Sequence, residues 1–235
     1  QATEMLLQEQ IAHGIPLFQP EETGERLVTA TETPTLRAVT TPTTAIPYTH
    51  LLSNGAYSVM VTNAGGGYSA SGDLAITRWR SDAARDSWGS FCYIRDVRSD
   101  LVWSATYQPT RHQAQDYRVI FGLEKVEFRQ HVAGIETRLE LSISPEDHVE
   151  VRRLTITNLT GAARELEITS YAEIVLAPPA ADAAHPAFSN LFVETEFVPE
   201  HDALLAARRP RSAAAKRHWA LHVIGVRGHS TAATS

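Results

Sequence analysis

The sequence predicts an all-β protein, a large antiparallel β-sandwich, and three observations carry that prediction. From residue 51 onward, short segments alternate apolar and polar side chains with a period of two, the pattern of a strand with one wet face. Gly, Pro, Asn and Asp interrupt these segments at short intervals, as tight turns require. No stretch among them repeats apolar residues at the three-to-four spacing of a long amphipathic helix. The 235 residues, 43% hydrophobic and 20% charged, are too apolar for a disordered chain and sufficient for a packed core.

The elements follow in order. Residues 2–12 place Met5, Leu6, Leu7 and Ile11 on one face of a short helix, with Thr3 as its N-cap and Gly14 and Pro16 as its stop. Residues 15–47 are rich in Pro, Thr and Glu and offer little apolar area against the entropy of ordering, so they read as an extended linker lying across other elements. Residues 1–50 are therefore assigned to helix and linker, and 51–235 to the sandwich, truncated at its C-terminal end. Strands are predicted at 57–62, 74–80, 90–96, 101–107, 117–121, 125–131, 135–144, 149–158, 165–174, 191–198 and 218–226. Across 149–158 the apolar residues switch from odd to even positions, which predicts a bulge near Arg152 and Arg153. Leu159-Thr160-Gly161-Ala162 predicts a hairpin turn into the next strand. Residues 177–188 form a long strand-free insertion, and such loops on a β scaffold are often functional.

Charge and composition exclude several classes. Lys and Arg total 21 against 27 Asp and Glu, a net charge of −6, which argues against a nucleic-acid partner. The densest basic stretch, Arg208, Arg209, Arg211, Lys216 and Arg217, reads as a solvated loop. The longest apolar runs, 174–177 and 203–207, fall far short of the roughly 20 residues of a membrane-spanning helix, so no direct membrane insertion is expected. Met5, Leu6 and Leu7 are followed by Gln8, Glu9 and Gln10 rather than by the apolar core of a secretion signal. The single cysteine, Cys92, excludes an intrachain disulfide, and between Phe91 and Tyr93 it reads as a small apolar strand residue.

Four groups of residues are candidates for chemistry. The glycine run 62–69 follows a strand but precedes no helix, so it reads as a tight turn or a close approach of backbone rather than a phosphate loop. The window 76–89 holds Trp79 and Trp88 with Arg78, Arg80, Arg85, Asp82 and Asp86; alternation sends Arg78 and Arg80 to one face and Thr77 and Trp79 to the other. Aromatic planes beside guanidinium forks and carboxylates suit polyol recognition. The simpler reading of the same residues is an Arg–Asp lattice, Arg85 with Asp82 or Asp86, that pins the loop over a Trp-filled core. Carboxylate pairs Asp82/Asp86, Glu146/Glu150 and Glu194/Glu196 have the residue type of glycoside cleavage, but spacing alone does not assign a catalytic residue, and none is assigned. The histidines, His218 and His222 included, lack a third nearby ligand, so no metal is expected.

Beyond these residue-level readings, the text of the chain is similar to a known family. The run Leu51-Leu52-Ser53-Asn54-Gly55, then 57–65, Gly67-Tyr68-Ser69, 77–82, 85–91, Trp103-Ser104-Ala105, 107–110 and 136–140 resembles the N-terminal domain of glycoside hydrolase family 94, formerly glycosyltransferase family 36. The run 170–189, Ser-Tyr-Ala-Glu-Ile-Val-Leu-Ala-Pro-Pro-Ala-Ala-Asp-Ala-Ala-His-Pro-Ala-Phe-Ser, resembles the cyclic β-1,2-glucan synthase branch rather than the cellobiose phosphorylase branch. The resemblance implies a galactose-mutarotase-like super-sandwich, packed on an (α/α)6 catalytic barrel that carries the acid and the site for inorganic phosphate, neither of which lies in this chain. It implies a β-glucan or gluco-oligosaccharide as substrate, the parent's barrel as partner, a homodimer contact as an alternative use of the same loops, and a cytoplasmic location for this region of an inner-membrane parent. On that basis the expected substrate-binding residues are Tyr68, Arg78, Arg80, Asp182, Phe188 and Asn190; Phe188 and Ser189 stand where the disaccharide phosphorylases resemble one another in a Gln-Arg pair. Two other expectations are a free-standing carbohydrate-binding module with Trp79, Trp88 and Trp103 as its platform, and a β-rich interaction scaffold.

Overall fold

A computed structural model describes residues 36–82, 86–184, 186–210, 212 and 216–228. The helix expected at 2–12, Arg85, Arg211 and the tail from 229 onward lie outside the described residues. The chain divides into units 1–33 and 34–235, and only the second is described here.

The alternation becomes strand in each predicted segment, but strands expected over 74–80, 101–107 and 218–226 end early, at Thr77, Ser104 and Val223. In chain order the elements are β1 (Arg37–Val39), β2 (Thr49–Ser53), β3 (Tyr57–Thr62), β4 (Gly67–Ser71), β5 (Leu74–Thr77), β6 (Ser90–Asp96), β7 (Leu101–Ser104) and β8 (Asp116–Phe121). There follow β9 (Lys125–Val132), β10 (Ile135–Ile143), β11 (Glu150–Asn158), β12 (Leu166–Ala172), β13 (Ile174–Ala177), α1 (Pro179–Ala184) and α2 (Pro186–Ser189). The last are β14 (Val193–Val198), β15 (Ala203–Arg208) and β16 (His218–Val223). They form four antiparallel sheets of order β1-β8-β9-β10-β11, β12-β6-β7, β13-β5-β4-β3-β2 and β14-β15-β16.

Inward residues of the first three sheets share one core. Val119, Phe128, Leu139 and Leu154 sit directly opposite one another across β8 to β11, and the first three are at most 2% exposed. They pack in one cluster with Leu52, Val59 and Val61 of the β2–β5 sheet and with Ile94 and Trp103 of the β6–β7 pair. Burial of such residues is the main stabilising term. Trp103 is completely buried, so it is a core residue and not part of a stacking platform.

Several local expectations change. The bulge near Arg152 and Arg153 does not form, because β11 pairs with β10 in unbroken register from Asn158 to Glu150. Glu150 and Arg152 themselves take the inner face and leave Val151 outside. Glu150 accepts hydrogen bonds from the Tyr57 hydroxyl at 3.2 Å, Ser69 at 2.5 Å and Arg152 at 2.8 Å, while Arg152 donates to the Ser90 carbonyl at 2.9 Å. A paired buried charge thus ties three sheets together where an apolar residue was expected. Residues 159–162 are not a hairpin turn: β11 pairs with β10 while β12 crosses to β6. The turn is closed by Asn158, which donates to the Ala162 carbonyl at 2.8 Å. The stretch from Arg208 is not a solvated loop at its start. Arg208 is buried in β15, donating to the Val175 carbonyl at 2.9 Å and the Ser189 carbonyl at 3.2 Å. The strand expected over 165–174 is two strands broken at Glu173, and within the linker Arg37–Val39 lies extended along β8.

Candidate functional site

Glu173 explains why the sheets meet where they do. It interrupts β12 and β13, and its carbonyl accepts the backbone N–H of Arg78 at 2.8 Å, just beyond the end of β5. That contact brings the Arg78 side chain under the insertion that follows β13. Its Nε and Nη2 reach the two oxygens of Asp182 at 3.1 and 2.8 Å, Nη1 reaches Glu173 Oε2 at 2.9 Å, and Nη2 reaches Asn190 Oδ1 at 2.6 Å. Arg80 adds a bond to Asp182 at 3.0 Å. Asp182 and Arg78 are both buried, on α1 and at the end of β5.

Electrostatics follow from that geometry. Burial alone would raise the Asp182 carboxyl, but hydrogen bonds from Arg78, with help from Ser189 and Arg80, outweigh it and hold the group at about 2. Four Arg78 hydrogen bonds are already committed to Asp182, Glu173 and Asn190, out of five N–H donors in a guanidinium. The structure therefore brings Arg78, Arg80, Asp182 and Asn190 into one network, in which the buried Arg80 Nε is left without a hydrogen-bond partner. Tyr68 stands apart, tilted against Trp79 at 5.8 Å between ring centroids, and Phe188 is 63% exposed on α2.

Beside this network lies a recess of about 220 Å³. Its lining includes Trp88, Phe91, Tyr93, Pro109, Tyr171 and Glu173. Tyr93 on β6 and Tyr171 on β12 are diagonal neighbours through the pair Thr169–Tyr93, with rings edge to face at 6.2 Å. Burial first, then its hydrogen bond to Glu173, raises the Tyr171 phenol to about 12, so it stays protonated and donates to Glu173 Oε1 at 2.9 Å.

The glycine run fixes the opposite wall. The Gly67 N–H donates to the Trp88 carbonyl at 2.7 Å. A Cβ on Gly66 would lie 2.1 Å from Asp86 Oδ1, and one on Gly65, whose φ is +95°, would lie 2.3 Å from the Thr106 side chain. The Thr62 hydroxyl accepts the Gly66 N–H at 3.1 Å and donates to Asp86. Burial raises the Asp86 carboxyl, and Thr62 offsets part of that. The run is thus a tight turn that admits the 86–89 segment, the close-approach reading of the sequence.

Sequence reasoning missed Tyr93, Tyr171 and Glu173. Tyr171 and Glu173 lie in the 170–189 run that carries the family resemblance, but no local pattern pairs them with Tyr93. Other carboxylates serve as ion-pair partners on the sheet faces: Glu140 with Lys125 and Arg138, Glu127 with Arg129 and Arg138, and Asp96 with Arg164. Among the described residues, no three or more His, Cys, Asp or Glu cluster to hold a metal ion.

The supersandwich-domain family of glycosyl hydrolase 94 matches residues 32–235. The chain belongs to that family. It is 37% identical over 216 residues to the cyclic beta-(1,2)-glucan synthase NdvB of Rhizobium meliloti (strain 1021), covering 90% of this chain and 8% of that protein. It is 26% identical over 140 residues to the N,N'-diacetylchitobiose phosphorylase of Vibrio proteolyticus, covering 57% of this chain and 18% of that enzyme. Solabiose phosphorylase of Paenibacillus borealis is 25% identical over 116 residues, covering 49% of this chain and 15% of that enzyme. This chain therefore spans less than a fifth of each of these relatives. Among the described residues, no helix is long and apolar enough to cross a membrane.

Proposed function

We propose that this domain is a non-catalytic, carbohydrate-contacting part of a glucan-processing enzyme, and that it presents a β-1,2-linked glucan to a catalytic barrel carried by the same parent protein. The observation that carries this reading is the 37% identity sustained over 90% of the chain with a glucan synthase of which it covers only 8%. The site agrees with it. The Asp182 and Glu173 carboxylates are bound to arginines, and Asp182 is held at about 2, whereas a general acid for glycosidic cleavage must hold a proton near neutral pH. In this reading inorganic phosphate is bound only by the barrel, and the domain lies on the cytoplasmic side of the membrane with its parent.

The test is incubation of the 235-residue chain with β-1,2-glucan and inorganic phosphate, with glucose 1-phosphate measured against the parent enzyme. The reading predicts product from the parent alone. Release of glucose 1-phosphate or of shortened glucan by the 235-residue chain overturns it.

A further inference from the structure

We infer that the recess lined by Trp88, Tyr93, Tyr171 and Glu173 is a binding subsite for a single glucosyl unit of the glucan, adjoining the arginine network through Glu173. The inference rests on the function proposed above and names where in this chain the sugar sits.

Four features lead there. The first is chemistry: a pyranose ring presents apolar C–H faces and a rim of hydroxyls, which suits aromatic walls with a carboxylate among them. Glu173 Oε1 accepts from Tyr171 and Oε2 from Arg78, and each oxygen keeps a further lone pair for a sugar hydroxyl. The second is size. At about 220 Å³ the recess falls below the roughly 300–1,000 Å³ of sites for drug-sized ligands, so it admits one ring and not a folded oligosaccharide.

The third feature is access. Tyr171 is 43% exposed and the Glu173 side chain 35%, so the mouth is open and the neighbouring sugars of a chain can run out from it. The fourth is rigidity. Trp88 is held through its carbonyl by Gly67, Tyr93 and Tyr171 stand on paired strands, and Glu173 is clamped from both oxygens, so binding requires little ordering.

The experiment is calorimetric titration of the 235-residue chain with a β-1,2-linked glucose pentamer, in wild type and in Tyr171→Ala, Glu173→Gln, Phe188→Ala and Trp219→Ala. Thermal melting of each variant confirms the fold, and if Tyr171→Ala melts without cooperativity, Glu173→Gln decides. Saturable binding to one site is expected, weakened about tenfold or more by Tyr171→Ala and Glu173→Gln and unchanged by Trp219→Ala on the separate β14–β16 sheet. No saturable binding by the wild type overturns the subsite, as does binding that survives both recess variants. Loss of binding in Phe188→Ala with the recess variants intact also overturns it and moves the sugar to the 179–190 insertion. These outcomes are separable from failure of the proposed function, which is read from glucose 1-phosphate release and not from heat.

Discussion

Replacing Asp182 with Asn should unlock the insertion from the sheet. In the native domain Asp182 neutralises Arg78, which is 6% exposed, through two hydrogen bonds and receives a third from Arg80. Removing one partner of a buried pair costs about 3–5 kcal/mol when the other charge is left alone. Here Glu173 and Asn190 still hold Arg78, so the cost falls below that range, to about 2–3 kcal/mol. Proton linkage gives a matching figure: a carboxyl held at about 2 against an ordinary 3.8 contributes about 2 kcal/mol in its charged form. Because the folded value is depressed, that contribution is complete above the unfolded value near 3.8 and is lost as pH falls toward 2. The assay is urea unfolding of both proteins at pH 7 and at pH 3. The variant should unfold at lower urea at pH 7, and the difference should narrow at pH 3. Equal midpoints at pH 7, or a difference that does not narrow, would refute the electrostatic reasoning.

Three further outcomes follow from the packing. Gly66→Ala places a Cβ 2.1 Å from Asp86 Oδ1, so it should cost about 1–3 kcal/mol by denaturant titration and alter the fluorescence of Trp88. Phe128→Ala empties the centre of the shared core, where the ring is 1% exposed, and should cost about 3–5 kcal/mol in the same assay. Burial raises the Cys92 thiol, so iodoacetamide at pH 7.5 should label the native domain far more slowly than the urea-unfolded chain.

How much was legible in the sequence depends on where the signal was local. Tyr57–Thr62 and Ser90–Asp96 match the expected strands end to end, because each is a short run of strand-favouring residues bounded by turn residues. Ala203–Arg208 escaped notice because Ala and Leu carry no strand preference, and its pairing on both sides with β14 and β16 overrides propensity. Gly67–Ser71 escaped because small residues give no alternation to read. Alternation placed Arg78 and Arg80 on one face, and both do reach Asp182, but nothing in the sequence announced that pairing, because Asp182 lies about a hundred residues further along and was expected only as a substrate-binding residue. The recess was invisible for a different reason. Tyr93 and Tyr171 become neighbours only through the crossing of β12 to β6, a long-range pairing that the turn signal at 159–162 concealed.

The account's central claim is that these sheets hold glucan for chemistry performed by other parts of the parent. Steady-state kinetics of the parent enzyme carrying Glu173→Gln test it most directly. Loss of a holding contact should raise KM for the glucan about tenfold and leave kcat within about twofold of wild type. A fall in kcat with KM unchanged would show that Glu173 acts in the chemical step, and the claim would be wrong.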